Sequence, residues 1–203
     1  MKITYANIDA VRYACLYFHY AKSTPVYNYA YNIYNDNNEW CGCILFGLGS
    51  CREMSNNLNC ISGTLLELQR VALNGRQGHN QTSKAVAMGM NQVKKDAVCL
   101  KCLFSFADTE QKHIGIVYQA TNWIYLGIRK GDYVFIKEGK KYHRRTINNR
   151  IKSAGMTNKE YRQIMGYCES AKVGDKHLYV YPYDKKIKKQ LLKKRVQYPK
   201  RAD

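Results

Sequence analysis

The sequence predicts an α/β fold in which a central mixed sheet is flanked by helices. Three observations predict it. Segments with strand character alternate along the chain with segments of helical period. The run Thr64 to Leu73 (TLLELQRVAL) reads as a central strand that closes on Asn74-Gly75 and leads, through a polar glycine loop, into a helix. The alternating run Leu103 to Ala107 ends on the ionisable Asp108, and the helix-period positions Ile114, Val117, Tyr118 and Thr121 then carry a tyrosine back towards that strand end. Strand ends that present such groups are where α/β proteins usually do chemistry.

The elements follow in order. Asn7 or Asp9 can cap a first helix to about Tyr20, with Val11, Cys15 and Phe18 as its apolar stripe and Ser23-Thr24-Pro25 as its breaker. Tyr27 to Tyr34 and Trp40 to Phe46 pair as a hairpin across Asn35-Asp36-Asn37-Asn38. Gly47 to Asn59 reads as a polar loop. After the central strand, Gly78 to Ser83 opens a helix to about Lys95, and a strand-loop-helix start of this kind suits an anion, because unpaired N–H groups and the helix dipole face it. Asp96 to Ala107 supplies the next strand. Beyond Gly127, short basic segments follow: a strand at Gly131 to Lys137, helices at Asn148 to Ala154 and Thr157 to Met165, an edge strand at His177 to Tyr183 limited by Pro182, and a basic helix from Lys185 to Arg195.

Charge is placed on one side of the chain. The net charge is +18, and residues 129–203 hold 22 Lys and Arg against 7 Asp and Glu. That excess exceeds what solubility requires and points to a polyanionic partner. We therefore read residues 1–128 as a catalytic core and residues 129–203 as a basic C-terminal part of the same domain. No apolar run approaches the length of a membrane span and the first residues lack a signal-peptide core, so the expected setting is soluble and cytoplasmic, with no membrane partner.

The eight cysteines include Cys41-Gly-Cys43 and Cys99-Leu-Lys-Cys102, which raises a four-thiolate zinc site as one possibility. Cys99 and Cys102 on one strand would point to opposite faces, and buried free thiols are the expectation.

The block SFADTEQKHIGIVYQATNWIYLG resembles the signature of phage Mom-like adenine-modification proteins: Ser-x-Ala-Asp, His-x-Gly, then Tyr-Gln-Ala-x-Asn-Trp-x-Tyr-x-Gly. Further pieces agree in order: His19-Tyr20 with Lys22-Ser23-x-Pro25, Leu45-Phe46-Gly47, Glu67-Leu68-x-Arg70, Lys176-His177-x-Tyr179-x-Tyr181 and Tyr198-Pro199-Lys200-Arg201. The resemblance implies a GNAT-like acetyltransferase fold with a basic C-terminal extension. It also implies conversion of adenine in phage DNA to a methylcarbamoyl-type derivative that protects the DNA from host restriction, with acetyl-CoA or a related acyl-CoA as the suspected donor. Val71, Leu73, Gly78, Asn80, Ser83 and Lys84 would then hold the cofactor, although Arg76-Gln77-Gly78-His79-Asn80-Gln81 departs from the usual Arg/Gln-x-x-Gly-x-Gly/Ala loop.

The 6-amino group of adenine is a poor nucleophile, so a base must take its proton as the new bond forms. Asp108 is the expected base, and the rival reading is a carboxylate that caps the turn at Thr109 to Lys112. Tyr118 would protonate the leaving group or orient the donor carbonyl. His19 and Tyr20 would contact substrate or act as a second acid or base, against the alternative of a helix-end histidine satisfied by carbonyls. The family also raises iron, for which His19, Asp108 and His113 are the available ligands without supporting local spacing.

Duplex DNA must surrender the base to a pocket. Tyr118, Trp123 and Tyr125 would supply stacking faces and Asn122 an amide contact to adenine, with core packing as the plain alternative. Lys140, Lys141, Arg144, Arg145, Arg150 and Lys152, with Lys185 to Arg195 as a second stripe, would hold phosphates. Two other functions fit the same residues: a non-catalytic nucleic-acid-binding protein, and a GNAT acyltransferase that acts on a protein or small-molecule amine.

Overall fold

The structure is a computed structural model that describes residues 1–58, 60, 63–166 and 169–200, without the side chains of residues 141, 143–146, 162, 165 and 169. The chain divides into two compact units: residues 1–107, 114–127 and 177–203 form the first, and residues 108–113 and 128–176 the second. The change of texture seen near residue 128 coincides with entry into the second unit, and the basic tail from His177 onward sits with the first.

The first unit is built on a seven-stranded mixed sheet with spatial order β1-β2-β3-β4-β5-β10-β6. Its strands are β1 (Lys2–Tyr5), β2 (Tyr29–Tyr34), β3 (Trp40–Gly47), β4 (Leu65–Leu73), β5 (Cys102–Asp108), β6 (Ile124–Arg129) and β10 (Lys176–Pro182). Helices α3 (Gln81–Asp96) and α4 (Ile116–Ala120) cover one face through Leu66, Leu68, Leu103 and Trp123. On the other face, α1 (Ile8–Tyr17) packs on Cys43 and Leu45, while α2 (Cys51–Leu58) and α7 (Lys185–Leu192) pack on Leu65, Phe104 and Val180.

The expected hairpin is present, with Asn35 closing its turn through hydrogen bonds to Asn37 and Glu39. Three expectations need correction. The segment read as a loop after Gly47 contains α2, whose Cys51, Met54, Ser55 and Leu58 form a buried stripe that its polar residues hide from a hydropathy reading. Asp96 ends α3 rather than starting a strand; its carboxylate accepts hydrogen bonds from Tyr5 and Tyr31, tying the helix to β1 and β2. The strand expected at an edge, β10, lies between β5 and β6. Pro182 is tolerated because it is the last strand residue, where the missing N–H costs the ladder nothing.

The feature that positions the site is a parting of two strands. β4 and β5 run parallel and pair only from Leu65–Cys102 to Glu67–Phe104. Immediately beyond, β4 carries a bulge: Phe46 pairs with Leu68 and Leu45 with Arg70, which leaves Gln69 unmatched. A bulge bends its strand and increases twist. Leu68 to Leu73 is therefore led away from β5, and the sheet opens between its central strands.

The second unit has its own sheet, β8 (Lys140–His143), β7 (Tyr133–Lys137) and β9 (Glu169–Lys172) in the order β8-β7-β9, all antiparallel. Helices α5 (Arg144–Ala154) and α6 (Asn158–Met165) complete it, and Phe135, Ile147, Ile151 and Tyr161 form its core.

Candidate active site

Ser105, on β5 just past the last paired residue, bridges the parted strands. Its hydroxyl lies 2.7 Å from the Leu68 carbonyl and 2.8 Å from the Tyr118 hydroxyl. A serine has one proton to give. When it goes to the carbonyl, Tyr118 is the donor to Ser105 Oγ, and a polar chain runs from α4 through β5 to β4. Burial pushes the Tyr118 phenol up to about 12, and nearby Tyr20 and Glu67 add in the same direction. Tyr118 thus keeps its proton at neutral pH and can donate it.

The geometry of α4 is enforced from behind. Gly115 precedes the helix at φ +73°, and a Cβ there would come within 2.4 Å of the Tyr179 ring and 3.0 Å of the Tyr118 ring. The Tyr179 ring packs at a tilt against Tyr118 at 5.1 Å and its hydroxyl donates to the Ile114 carbonyl, while Gln119 donates to both that carbonyl and the Tyr179 hydroxyl. Trp123 packs on Tyr118 from another side at 5.1 Å. The short helix holds one orientation because its neighbours leave it no other.

Glu67, the last β4 residue paired with β5, is a carboxylate between the buried Leu66 and Leu68. Its Oε2 accepts from the Ser50 N–H at 2.9 Å and from the Ser50 hydroxyl at 3.1 Å. Gly49, at φ +40°, lets that loop wrap the carboxylate, since a Cβ would stand 1.8 Å from Oε2. No role was read for Glu67 or Ser105 from the sequence, although both lie in the matched motifs. The available signal was an acid and a hydroxyl interrupting two buried strands.

His19 and Tyr20 follow α1 and stack at 4.4 Å with 29° between their planes, and His19 Nδ1 accepts the Ala21 N–H. Tyr20 is half exposed and close enough to raise the Tyr118 pKa. Asp108 ends β5 in phase with Phe104 and Phe106, the strand face opposite Ser105. Its carboxylate accepts the Glu110 N–H at 3.0 Å and caps the short helical turn Thr109–Gln111. Among the described residues, no group of three or more His, Cys, Asp or Glu gathers to hold a metal. Cys15, Cys41, Cys43, Cys51, Cys60 and Cys102 are buried free thiols, Cys99 is exposed, and Cys168 lies outside the described residues.

Trp123 and Tyr125 are core residues, with Trp123 fully buried and Tyr125 hydrogen-bonded to His177 at 2.7 Å, so in this conformation neither offers an open stacking face. Asn122 is an exposed turn residue at φ +61° whose N–H binds the Gln119 carbonyl. Lys140 and Lys152 are exposed, and Arg150 lies over the Tyr142 ring at 5.8 Å. The side chains of Lys141, Arg144 and Arg145 lie outside the described residues.

The proposed cofactor residues cluster where β4 leads into α3. Val71 and Leu73 pack their side chains towards the core. Gly78 and Asn80 take φ +88° and +58°, and Asn80 gives α3 no side-chain cap, so the first-turn amides lack the usual side-chain acceptor. The Ser83 hydroxyl donates to the Asn80 carbonyl, and Lys84 is exposed on the first turn. An uncapped helix start beside the β4 edge that β5 has left suits an anionic chain bearing amides.

The profile of the Mom protein family matches residues 2–200. The chain belongs to the Mom protein family. No curated protein matches it by sequence. Among solved structures, this family member is similar to a Bacillus subtilis acetyltransferase in complex with CoA (9% identity, 90% of this chain and 97% of that chain, TM-score 0.50). It is similar also to a ribosomal-protein-S5-alanine acetyltransferase from Vibrio fischeri (11% identity, 90% and 93%, TM-score 0.50). A variant of the Vibrio cholerae spermidine N-acetyltransferase SpeG matches at 8% identity over 90% and 95%, with a TM-score of 0.51. The family member has the GNAT acetyltransferase fold.

Proposed function

We propose that this protein is a transferase that modifies the exocyclic 6-amino group of adenine in DNA, by a methylcarbamoyl-type modification that protects the DNA from restriction. The observation that carries the reading is the partly buried, protonated Tyr118 set across the parted strands of a Mom family member.

The N terminus of α3, with Gly78, Asn80, Ser83 and Lys84, would take the phosphates of an acyl-CoA, and the β4 edge at Val71 and Leu73 would take its amide-bearing arm. Bound there, such a group would supply an activated carbonyl and a thiolate leaving group, and for a methylcarbamoyl product the transferred acyl group would itself have to carry the N-methyl nitrogen, since thioester aminolysis adds only the donor's acyl group to the adenine amine. Tyr118 then holds the proton that the leaving sulfur needs. The proton lost from the adenine amine goes to one of two carboxylates: Glu67, held by Ser50 beside Tyr118, or Asp108, the acid of the family motif. The His19-Tyr20 stack is the exposed aromatic surface near Tyr118 and serves as the platform for a flipped base, in place of Trp123 and Tyr125. Lys140 and Lys152, with Lys141, Arg144, Arg145 and Arg150, would neutralise phosphates.

The test is mass spectrometry of nucleosides from DNA of cells that express the protein. A mass-shifted deoxyadenosine is expected. Unaltered deoxyadenosine from cells holding active, folded protein contradicts the proposal.

A further inference from the structure

Residues 144–165 of the second unit form two helices joined by Gly155, Met156 and Thr157 alone. The turn is fixed at both ends. Gly155 takes φ +63° and donates to the Lys152 carbonyl, while the Met156 N–H reaches the Ile151 carbonyl, the paired bonds of a glycine-terminated helix. Thr157 and Glu160 then exchange hydrogen bonds as a capping box that starts α6. Ile151 and Tyr161, one from each helix, are buried with Phe135 of β7. The arrangement is a helix-turn-helix on its own small sheet.

The outward faces have a consistent chemistry. On α5 the buried stripe is Ile147 and Ile151, and at 100° per residue the position opposite is Asn149, flanked by Lys152 and Ser153; all three are exposed. On α6 the buried residue is Tyr161, and the positions opposite are Lys159 and Gln163, again exposed. Each helix therefore sets a neutral amide with a lysine beside it directly away from the core. Asparagine is a poor helix former, so its place in mid-helix is not explained by local stability. Residues 128–176 carry 13 Lys and Arg against 5 Asp and Glu. The one acid in this helix pair, Glu160, is engaged in the cap, and its hydrogen bonds with Thr157 hold its carboxyl below the usual range.

We propose that this helix-turn-helix is a sequence-reading module for duplex DNA, in which Asn149 and Gln163 meet base edges in the major groove and Lys152 and Lys159 hold phosphates. Amide side chains make paired hydrogen bonds to adenine in that groove, and lysines supply the salt-dependent part of affinity. The inference rests on duplex DNA as the substrate and adds a surface that selects where modification occurs.

Full-length protein is allowed to bind a random 20-base-pair DNA pool, and the bound fraction is sequenced. The wild type is expected to enrich a motif. The double variant Asn149→Ala/Gln163→Ala is expected to lose that enrichment while its salt dependence on the random pool stays unchanged. Lys152→Gln/Lys159→Gln is expected to keep the motif and reduce the slope of log K against log salt by about 1.8, at ~0.9 for each phosphate contact. All four positions are exposed, and circular dichroism confirms that the variants remain folded. Enrichment that survives the amide substitutions, a slope untouched by the lysine substitutions, or stronger competition by duplex RNA overturns the module. If the motif persists in the amide variant while modified deoxyadenosine is still formed, the reading module fails and the transferase stands.

Discussion

Tyr118 gains its chemistry from its neighbours rather than from its place in the sequence. Partly buried and packed between Trp123 and Tyr179, its phenol stays protonated across the physiological range, with the Ser105 hydroxyl within hydrogen-bond reach. Tyr118→Phe keeps the packing and removes the proton, so we expect turnover to fall by about 10²-fold or more while thermal stability changes little. Ser105→Ala leaves the Leu68 carbonyl and the Tyr118 hydroxyl without their bridge, for an expected loss of about 1–3 kcal/mol in denaturant unfolding. Glu67→Gln and Asp108→Asn separate the two candidate bases: the one whose neutralisation abolishes modification while circular dichroism and DNA affinity are retained is the proton acceptor. His177 gives a pH signature of its own. Burial lowers its pKa beneath 6.5, so the unfolded chain takes up the proton first as pH falls. Stability from this group is complete above pH 6.5 and is lost on acidification below it. The thermal midpoint should fall in that window, and His177→Gln should flatten the fall.

At the scale of elements, the proposed function rests on the separation of β4 and β5. The bulge at Gln69 starts the divergence, Ser105 and Tyr118 fill its floor, and the N terminus of α3 stands at its end. Gly115 is a fixed point of this assembly, because only a residue without a side chain fits against Tyr179 at positive φ. Gly115→Ala is expected to cost about 2–4 kcal/mol in chemical denaturation, from left-handed strain plus overpacking. Much of this element order was legible in the sequence. Strong periodicity marked α1, the hairpin, β4, α3 and the core of β5, and Asn-Gly or glycine punctuation marked their ends. What escaped was set by tertiary context. The short strands β1, β8 and β9 gain order by pairing with neighbours. The amphipathic α2 is too polar on average to stand out, and the interior place of β10 follows from sheet order that no local pattern encodes. In the site, the motif pointed to Tyr118 and to the His19-Tyr20 pair. The roles available to Glu67 and Ser105 emerge only when the split brings β4, β5 and α4 together.

For the molecule as a whole, the chain divides into two compact units of different character. The first unit carries the large mixed sheet with Glu67, Ser105 and Tyr118; the second, which includes Asp108, is a small basic body with its own core. The tail from His177 returns to the first unit, where Tyr198 donates to the Trp123 carbonyl and the Pro199 carbonyl accepts from Gln119, so its last residues brace the segment that carries Tyr118. Truncation after Arg195 removes both contacts and is expected to lower the thermal midpoint as well as activity. No helix among the described residues is long and apolar enough to cross a membrane. The central claim is that Tyr118, in the split of a Mom family fold, serves the modification of adenine in DNA. It is tested most directly by mass spectrometry of deoxyadenosine from cells making either wild-type protein or Tyr118→Phe at matched soluble levels. A mass-shifted deoxyadenosine with the wild type and its near absence with the variant is expected, whereas unaltered deoxyadenosine in both, or equal modification in both, would contradict the claim.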